Sequence, residues 1–297
     1  MKSNYRGKEF RISNENTSLK NSSNLADAEW VNIAPDKVLV VANGRTYLVK
    51  PSSHERYSCF AQPMNFMGST STARKFLDGA IAAAKPSIAS NARPPRLNER
   101  RWVMRLVGLY HQTHIVPQLM EEASRSFAKI GSQDLALWAL EKAREEKDHD
   151  LLALKDIQSL KYDAKGLVKS LVPPAAQALI DYLARSVRDS DPIDCVGYVY
   201  TMERLALSMK KESIQRIETL LPSGVCATRC INVHSNVGAD VEHVEETIAI
   251  VAKLTPKQLE RIAIACYETA LLCFSPPSMG YTSNEELQRI LSPWKCI

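Results

Sequence analysis

Between residues 101 and 274 apolar side chains recur every three to four positions, and only one short segment of the chain alternates in the manner of strands. Such a period puts an apolar stripe on each of a series of helices, and stripes of this kind are buried against one another. The first run, residues 101–129, carries Trp102, Leu106, Leu109, Tyr110, Val116 and Leu119 and is closed by Gly131-Ser132. A second helix is expected over 133–160. Further ones are expected over Pro174–Arg188, behind a proline pair, and over 192–209, 212–221, 226–254 and Pro256–Phe274, with a last turn at Asn284–Leu291. No internal repeat and no heptad series interrupts the pattern. The expected fold class is all-α: a bundle of about seven helices with a small N-terminal β-hairpin appendage.

The hairpin is read from Val38-Leu-Val-Val-Ala42 and Thr46-Tyr-Leu-Val49, which flank Asn43-Gly44, the preferred pair for a tight two-residue turn. Residues 1–28 are rich in Asn, Ser and charge and are expected to be a flexible tail. Residues 29–97 are then expected to form the hairpin, a short helix near 72–84 and a linker through Pro94-Pro95, and residues 98–297 the main helical domain.

Charge narrows the partners. The 38 basic and 33 acidic residues are mixed along the chain with no long basic run, so nucleic acid is not implied. The seven cysteines, Cys59, Cys195, Cys226, Cys230, Cys266, Cys273 and Cys296, are odd in number and irregular in spacing, which reads as reduced thiols. With no apolar run of about 18 residues, neither a membrane span nor a signal core is expected, and a cytoplasmic protein is the default.

Titratable residues concentrate in two helical stretches. Glu145-Glu146-Lys147-Asp148-His149-Asp150 puts Glu146, or Glu145, within one turn of His149, and Asp240 is likewise one turn before His243. Glu203 interrupts an apolar helix, where a buried carboxylate needs a partner and a cation would serve. Taken singly, each group has an ordinary explanation. Charge runs on helices are usually solvated, Glu242, Glu245 and Glu246 fit a surface face, Glu203 can pair with Arg204, and His111 and His114 can pack within the first helix.

Together the groups carry more. The chain resembles the haem-oxygenase-like di-metal (di-iron) oxidase family, related in fold to thiaminase II (TenA-like) and pyrroloquinoline-quinone synthase proteins. The resemblance covers about residues 101–274 and rests on Tyr110-His111 and His114, on Glu145-Glu146-x-x-His149-Asp150, on Gly197-Tyr198-x-x-x-Met202-Glu203, and on His234 followed by Asp240-x-x-His243. It implies a haem-oxygenase-like bundle in which Glu146 (or Glu145), His149, Glu203, His234, Asp240 and His243 hold two Fe ions, with a single ion or Mn as variants. It further implies an O2-activating oxidase or oxygenase working with an electron donor on an amino acid, amine or aliphatic acid, by N-oxygenation, desaturation or C–C cleavage. A homodimer without nucleic-acid or membrane partners is expected. The family pattern is His-x-x-x-Asp-x-x-His, whereas Asp240 here follows His234 by six positions, a rotation of about 240° on a regular helix. Either the helix widens near Gly238, or His234 enters from a loop ahead of a later helix start, or Asn236 takes the usual position. Tyr110, Trp138, Tyr198 and Tyr200 are aromatic candidates for lining the cavity.

Three other functions fit parts of the same sequence. A metal-free thiaminase II-like hydrolase would need a nucleophile such as Cys195 or Cys230. A non-catalytic small-molecule-binding bundle needs none of these groups. A haem-degrading enzyme would use His111 or His114 as axial ligand, although carboxylates suit a porphyrin poorly.

Overall fold

The computed structural model describes residues 28–51, 68–88, 93–235, 240–278 and 280–296; the side chains of residues 240 and 241 lie outside that description. Strands β1 (Glu29–Ala34), β2 (Lys37–Ala42) and β3 (Arg45–Val49) form an antiparallel sheet in the order β1-β2-β3. The expected hairpin is β2-β3, in register from Ala42 opposite Arg45 to Val38 opposite Val49. Asn43 and Gly44 both take positive φ, 50° and 73°, as a turn matched to strand twist requires. The expectation omitted β1, whose pairing with β2 shifts register between Asn32 and Ala34. The sheet is no free appendage, because Leu39 and Val41 enter the main core, and Glu260 accepts from the backbone and side-chain nitrogens of Asn32 at 3.1 and 2.6 Å.

Helices follow. The first two are α1 (Thr70–Ser87) and the long α2 (Glu99–Lys129); α3 (Gln133–Glu145), α4 (His149–Ser159) and α5 (Ala164–Ser170) come next. Then come α6 (Pro174–Arg188), α7 (Asp194–Leu207), α8 (Lys211–Glu218), α9 (Arg229–Val233), α10 (Asp240–Val251), α11 (Pro256–Phe274) and α12 (Asn284–Leu291). Helix α11 begins where expected because Thr255 and Gln258 cap each other reciprocally ahead of Pro256. Among the described residues no helix is long and apolar enough to cross a membrane.

Two of the expected long helices are each split. The run at 133–160 breaks after Glu145, with Asp148 in the left-handed region at φ 67° and a new helix starting at His149. The run at 226–254 becomes α9 and α10, and residues 236–239 between them, including Asn236 and Gly238, lie outside the described part. Both breaks lie at the seam between two apolar clusters. One cluster gathers the sheet, α1, the second half of α2, α3, α6, α7, α10 and α11. The other gathers the first half of α2 with α4, α5, α8, α9 and α12. Helix ends leave backbone groups without intrahelical partners, so a seam made of helix ends is where polar side chains collect.

Candidate metal centre

At that seam the expected residues meet as two triads. In the first, Glu146 follows the last residue of α3, His149 opens α4 and His234 caps the end of α9. His149 Nδ1 is 3.1 Å from Glu146 Oε2, His234 Nε2 is 3.9 Å from the same oxygen, and the two imidazole rings meet edge to face at 4.7 Å. One donor atom from each of the three residues lies within 4.8 Å of the others. The break after Glu145 makes this possible, since it turns His149 back toward the end of the preceding helix. His234 enters at the end of α9, ahead of α10, which starts at Asp240.

The second triad joins Glu145 at the end of α3, Glu203 on α7 and His243 on α10, again with donor atoms within 4.8 Å of one another. His243 Nε2 lies 3.2 Å from Glu145 Oε1. Asp240 starts α10, but its side chain lies outside the described residues. Helix α10 is held against α3 by Trp138, whose Nε1 donates to Thr247 Oγ1 at 3.1 Å, and Thr247 donates to the carbonyl of His243 at 3.0 Å.

A residue absent from the sequence reading sits in this second triad. Lys142 Nζ donates to Glu145 Oε2 at 2.9 Å and lies 3.0 Å from Glu203 Oε1, with the side chain only 2% exposed. Burial pulls its ammonium toward neutrality, yet the Glu203 charge and the Glu145 hydrogen bond outweigh that and hold its pKa above the ordinary lysine value. The partner expected for Glu203, Arg204, turns instead to Asp78. Lys142 had one sequence signal: it falls in the register of Leu135, Trp138 and Ala139, so it is a lysine on a core-facing stripe.

Burial works against ionisation of Glu146 too, but the hydrogen bond from His149 and the charges of His234 and His149 more than offset it, so its carboxyl is held below the ordinary value of 4.5. A depressed folded pKa contributes stability that is complete above the ordinary value and lost as pH falls through the folded one. Glu146→Gln is therefore expected to flatten the acid limb of the stability curve below about pH 4.5. Chemical denaturation at several pH values measures this, and an unchanged slope refutes the coupling.

The other histidines stand apart. His114 is level with the start of α4, as the antiparallel run of α2 and α3 implies, but it pairs with Asp150 at 2.7 Å and is 58% exposed. His111 Nε2 is 2.8 Å from the carbonyl of Leu171. Glu242, Glu245 and Glu246 are on the surface as expected. Of the four aromatic candidates Tyr198 lines the cavity, whereas Tyr200 donates to Asp78 and Trp138 holds α10. Tyr110 stacks on His114.

Lys142, Glu146, Glu203 and His234 form part of the wall of a cavity of about 440 Å³. Its remaining lining is largely apolar, with Val116, Tyr198, Met202, Leu205, Met209 and Ile231 prominent. Cys230 and Cys273 also line it, but burial pushes both thiols up to about 12, so neither supplies a thiolate near neutral pH. Cys195 is raised by burial as well. Hard carboxylate oxygens with imidazoles suit Fe and Mn, and the first triad, two histidines and one carboxylate, is the donor set that holds non-haem Fe(II) with positions left open. That triad fits a metal ion, whereas the second already holds an ammonium.

Fold and candidate site together define a helical bundle with a small antiparallel sheet and a carboxylate and imidazole cluster at its seam. A crystal structure of a TenA homolog from Pseudomonas syringae pv. tomato is similar over 77% of this chain and 100% of its own, with a TM-score of 0.51 and 12% identity. A domain of unknown function with a haem-oxygenase-like fold, from Shewanella denitrificans, is similar over 78% of this chain and 94% of its own, with a TM-score of 0.49 and 16% identity. No protein-family model and no curated protein matches the sequence. At 12% identity the likeness to the TenA homolog speaks for the fold alone.

Proposed function

We propose that the chain is a non-haem iron oxidase or oxygenase that uses O2 and an external electron donor to oxidise a small molecule with an apolar body. The observation that carries this is the triad of Glu146, His149 and His234, two of whose members face a largely apolar cavity. Iron held there supplies the electron-transfer and O2-reducing chemistry that side chains cannot. The protein's own contributions are positional. Glu146 and the two histidines present three donors from three helix ends, so their spacing is set by the packing of the seam. Tyr198, Met202 and Ile231 exclude water and hold the apolar body of a substrate near the triad. Gln112, on the cavity wall, is placed to bind a polar substituent, as an amine, amino acid or aliphatic acid carries. The metal-free hydrolase reading gains nothing from the cavity thiols, which burial keeps protonated.

The test is anaerobic Fe(II) loading of metal-free protein, followed by air and monitored for near-ultraviolet and visible bands and for oxygen uptake. Wild type should take up iron and consume O2. His149→Ala should bind iron more weakly by at least about 100-fold, beyond the range for losing an outer-shell partner. No uptake by wild type, or equal uptake by the variant, overturns the proposal.

A further inference from the structure

We infer that Lys142 is a built-in cation standing where a second metal ion would sit, so that this chain binds one iron, at Glu146, His149 and His234, and not two. The inference rests on the proposed iron centre and narrows it.

Its basis is geometric. Two of the three donor groups of the second triad already close on one ammonium, Glu145 at 2.9 Å and Glu203 at 3.0 Å. Lys142 reaches that point from inside the protein, since it lies on the core-facing side of α3 between Ala139 and Ala143 and is 2% exposed. A surface lysine folded over a vacant pocket would leave its stem in solvent; this stem is packed in the core. The ammonium holds Glu145 Oε2 and Glu203 Oε1, so a divalent ion bonded to the other oxygen of either carboxylate would sit beside it, and two like charges in one low-dielectric pocket repel strongly. The ion could enter only if Lys142 withdrew, and its core packing opposes that.

Charge points the same way. Among the described residues, and with the imidazoles neutral as metal ligation requires, the three carboxylates Glu145, Glu146 and Glu203 face one ammonium, leaving two negative charges. A single divalent ion at the first triad balances them, whereas two divalent ions would leave the seam with a net positive charge in the interior, which is costly. The arrangement makes His243 and Glu203 positioning residues in this protein: Glu203 holds Lys142 and His243 holds Glu145, and together they fix the end of α3 from which Glu146 projects.

The test is equilibrium dialysis of the full-length metal-free protein against Fe(II) under anaerobic conditions, with bound metal counted per chain and thermal stability followed in parallel. Wild type should bind one ion. Lys142→Met frees Glu145, Glu203 and His243 and should bind two, the second raising the melting temperature. Because loss of the buried ammonium can prevent folding, Glu203→Gln provides an independent arm. It retains Lys142 and the three donors of the first triad and should still bind one ion, whereas a chain with two metal sites would lose one of them. Two ions on wild type falling to one in Glu203→Gln, or one ion on a folded Lys142→Met, overturns the inference while leaving an iron centre in place. No ion on wild type overturns the proposed function as well.

Discussion

Gly197→Ala is expected to destabilise the protein by about 3 kcal/mol, the upper end of what overpacking of an interior costs, and to lower its melting temperature by roughly 5–10 °C. Helix α7 crosses α11 so closely here that an added Cβ would lie 2.5 Å from the Ile262 carbonyl oxygen and 2.6 Å from Ala265 Cβ. Backbone stands in the way, so no rotamer change relieves the contact. The approach is also used for bonding, since the Gly197 carbonyl accepts from the Cys266 thiol of α11 at 3.4 Å. The gain in helix propensity from Gly to Ala, about 1 kcal/mol, acts in the opposite direction and does not decide the sign. Gly108 is the control: an added Cβ in α2 meets only Ala176 Cβ at 3.6 Å and Pro173 Cγ at 3.9 Å, ordinary contacts, so Gly108→Ala should be neutral or stabilising. Thermal melts of the two variants side by side measure the contrast. Equal behaviour would show that the α7–α11 approach is not under steric limit. Tyr198 and Glu203 ride on α7, so separating the helices should also widen the cavity and weaken the Lys142–Glu203 pair.

The site was largely legible because its chemistry-bearing residues are few and clustered. Glu145, Glu146, His149, Glu203, His234 and His243 all converge at the seam. Their grouping was legible in part. Local spacing placed Glu146 beside His149, as the fold does, but gave no sign that His243 faces Glu145 across two helices. The cause is the two helix breaks. Glu146-Lys147-Asp148 contains neither the proline nor the glycine that usually announces a stop, and Gly238 lies four positions beyond the cap of α9, while Asp148 takes a left-handed conformation that its sequence neighbours do not announce. Helical periodicity survives such a break, so the apolar pattern reads as one helix. Lys142 was hidden for a different reason: a lysine among Arg144, Lys147 and several glutamates looks like part of a solvated face until its core register is set against that of Leu135 and Ala139. The extra strand β1 has only Val31 and Ile33 buried on one face and needs β2 as its template.

Removal of Asp78 should carry the other large effect. Asp78, in α1 and 7% exposed, accepts from Tyr200 Oη at 2.9 Å and from Arg204 Nε and Nη2 at 2.7 and 3.1 Å, and these bonds join α1 to α7 beneath the site. Burial raises the Tyr200 hydroxyl far above its ordinary range, so it stays a neutral donor, and the carboxylate hydrogen bond holds Arg204 charged. Asp78→Ala leaves a guanidinium and a buried hydroxyl without their acceptor. Breaking a buried pair from one side costs about 3–5 kcal/mol, and the 36% exposure of Arg204 places the expected loss near the lower end, about 3 kcal/mol. Tyr200→Phe removes only one neutral-donor bond and should cost about 1 kcal/mol. Chemical denaturation of both variants distinguishes the two contributions, and a loss below about 0.5 kcal/mol for Asp78→Ala would mean that the network contributes little. Because Glu203 and Arg204 are consecutive on α7, the two carboxylate-to-cation contacts point in different directions, Arg204 back to α1 and Glu203 across to α3. The pair orients α7 about its axis, and the orientation of α7 decides which face of Tyr198, Met202 and Glu203 the cavity receives. Asp78→Ala should consequently weaken Fe(II) binding less than it weakens the fold, since Glu146, His149 and His234 are carried by other elements.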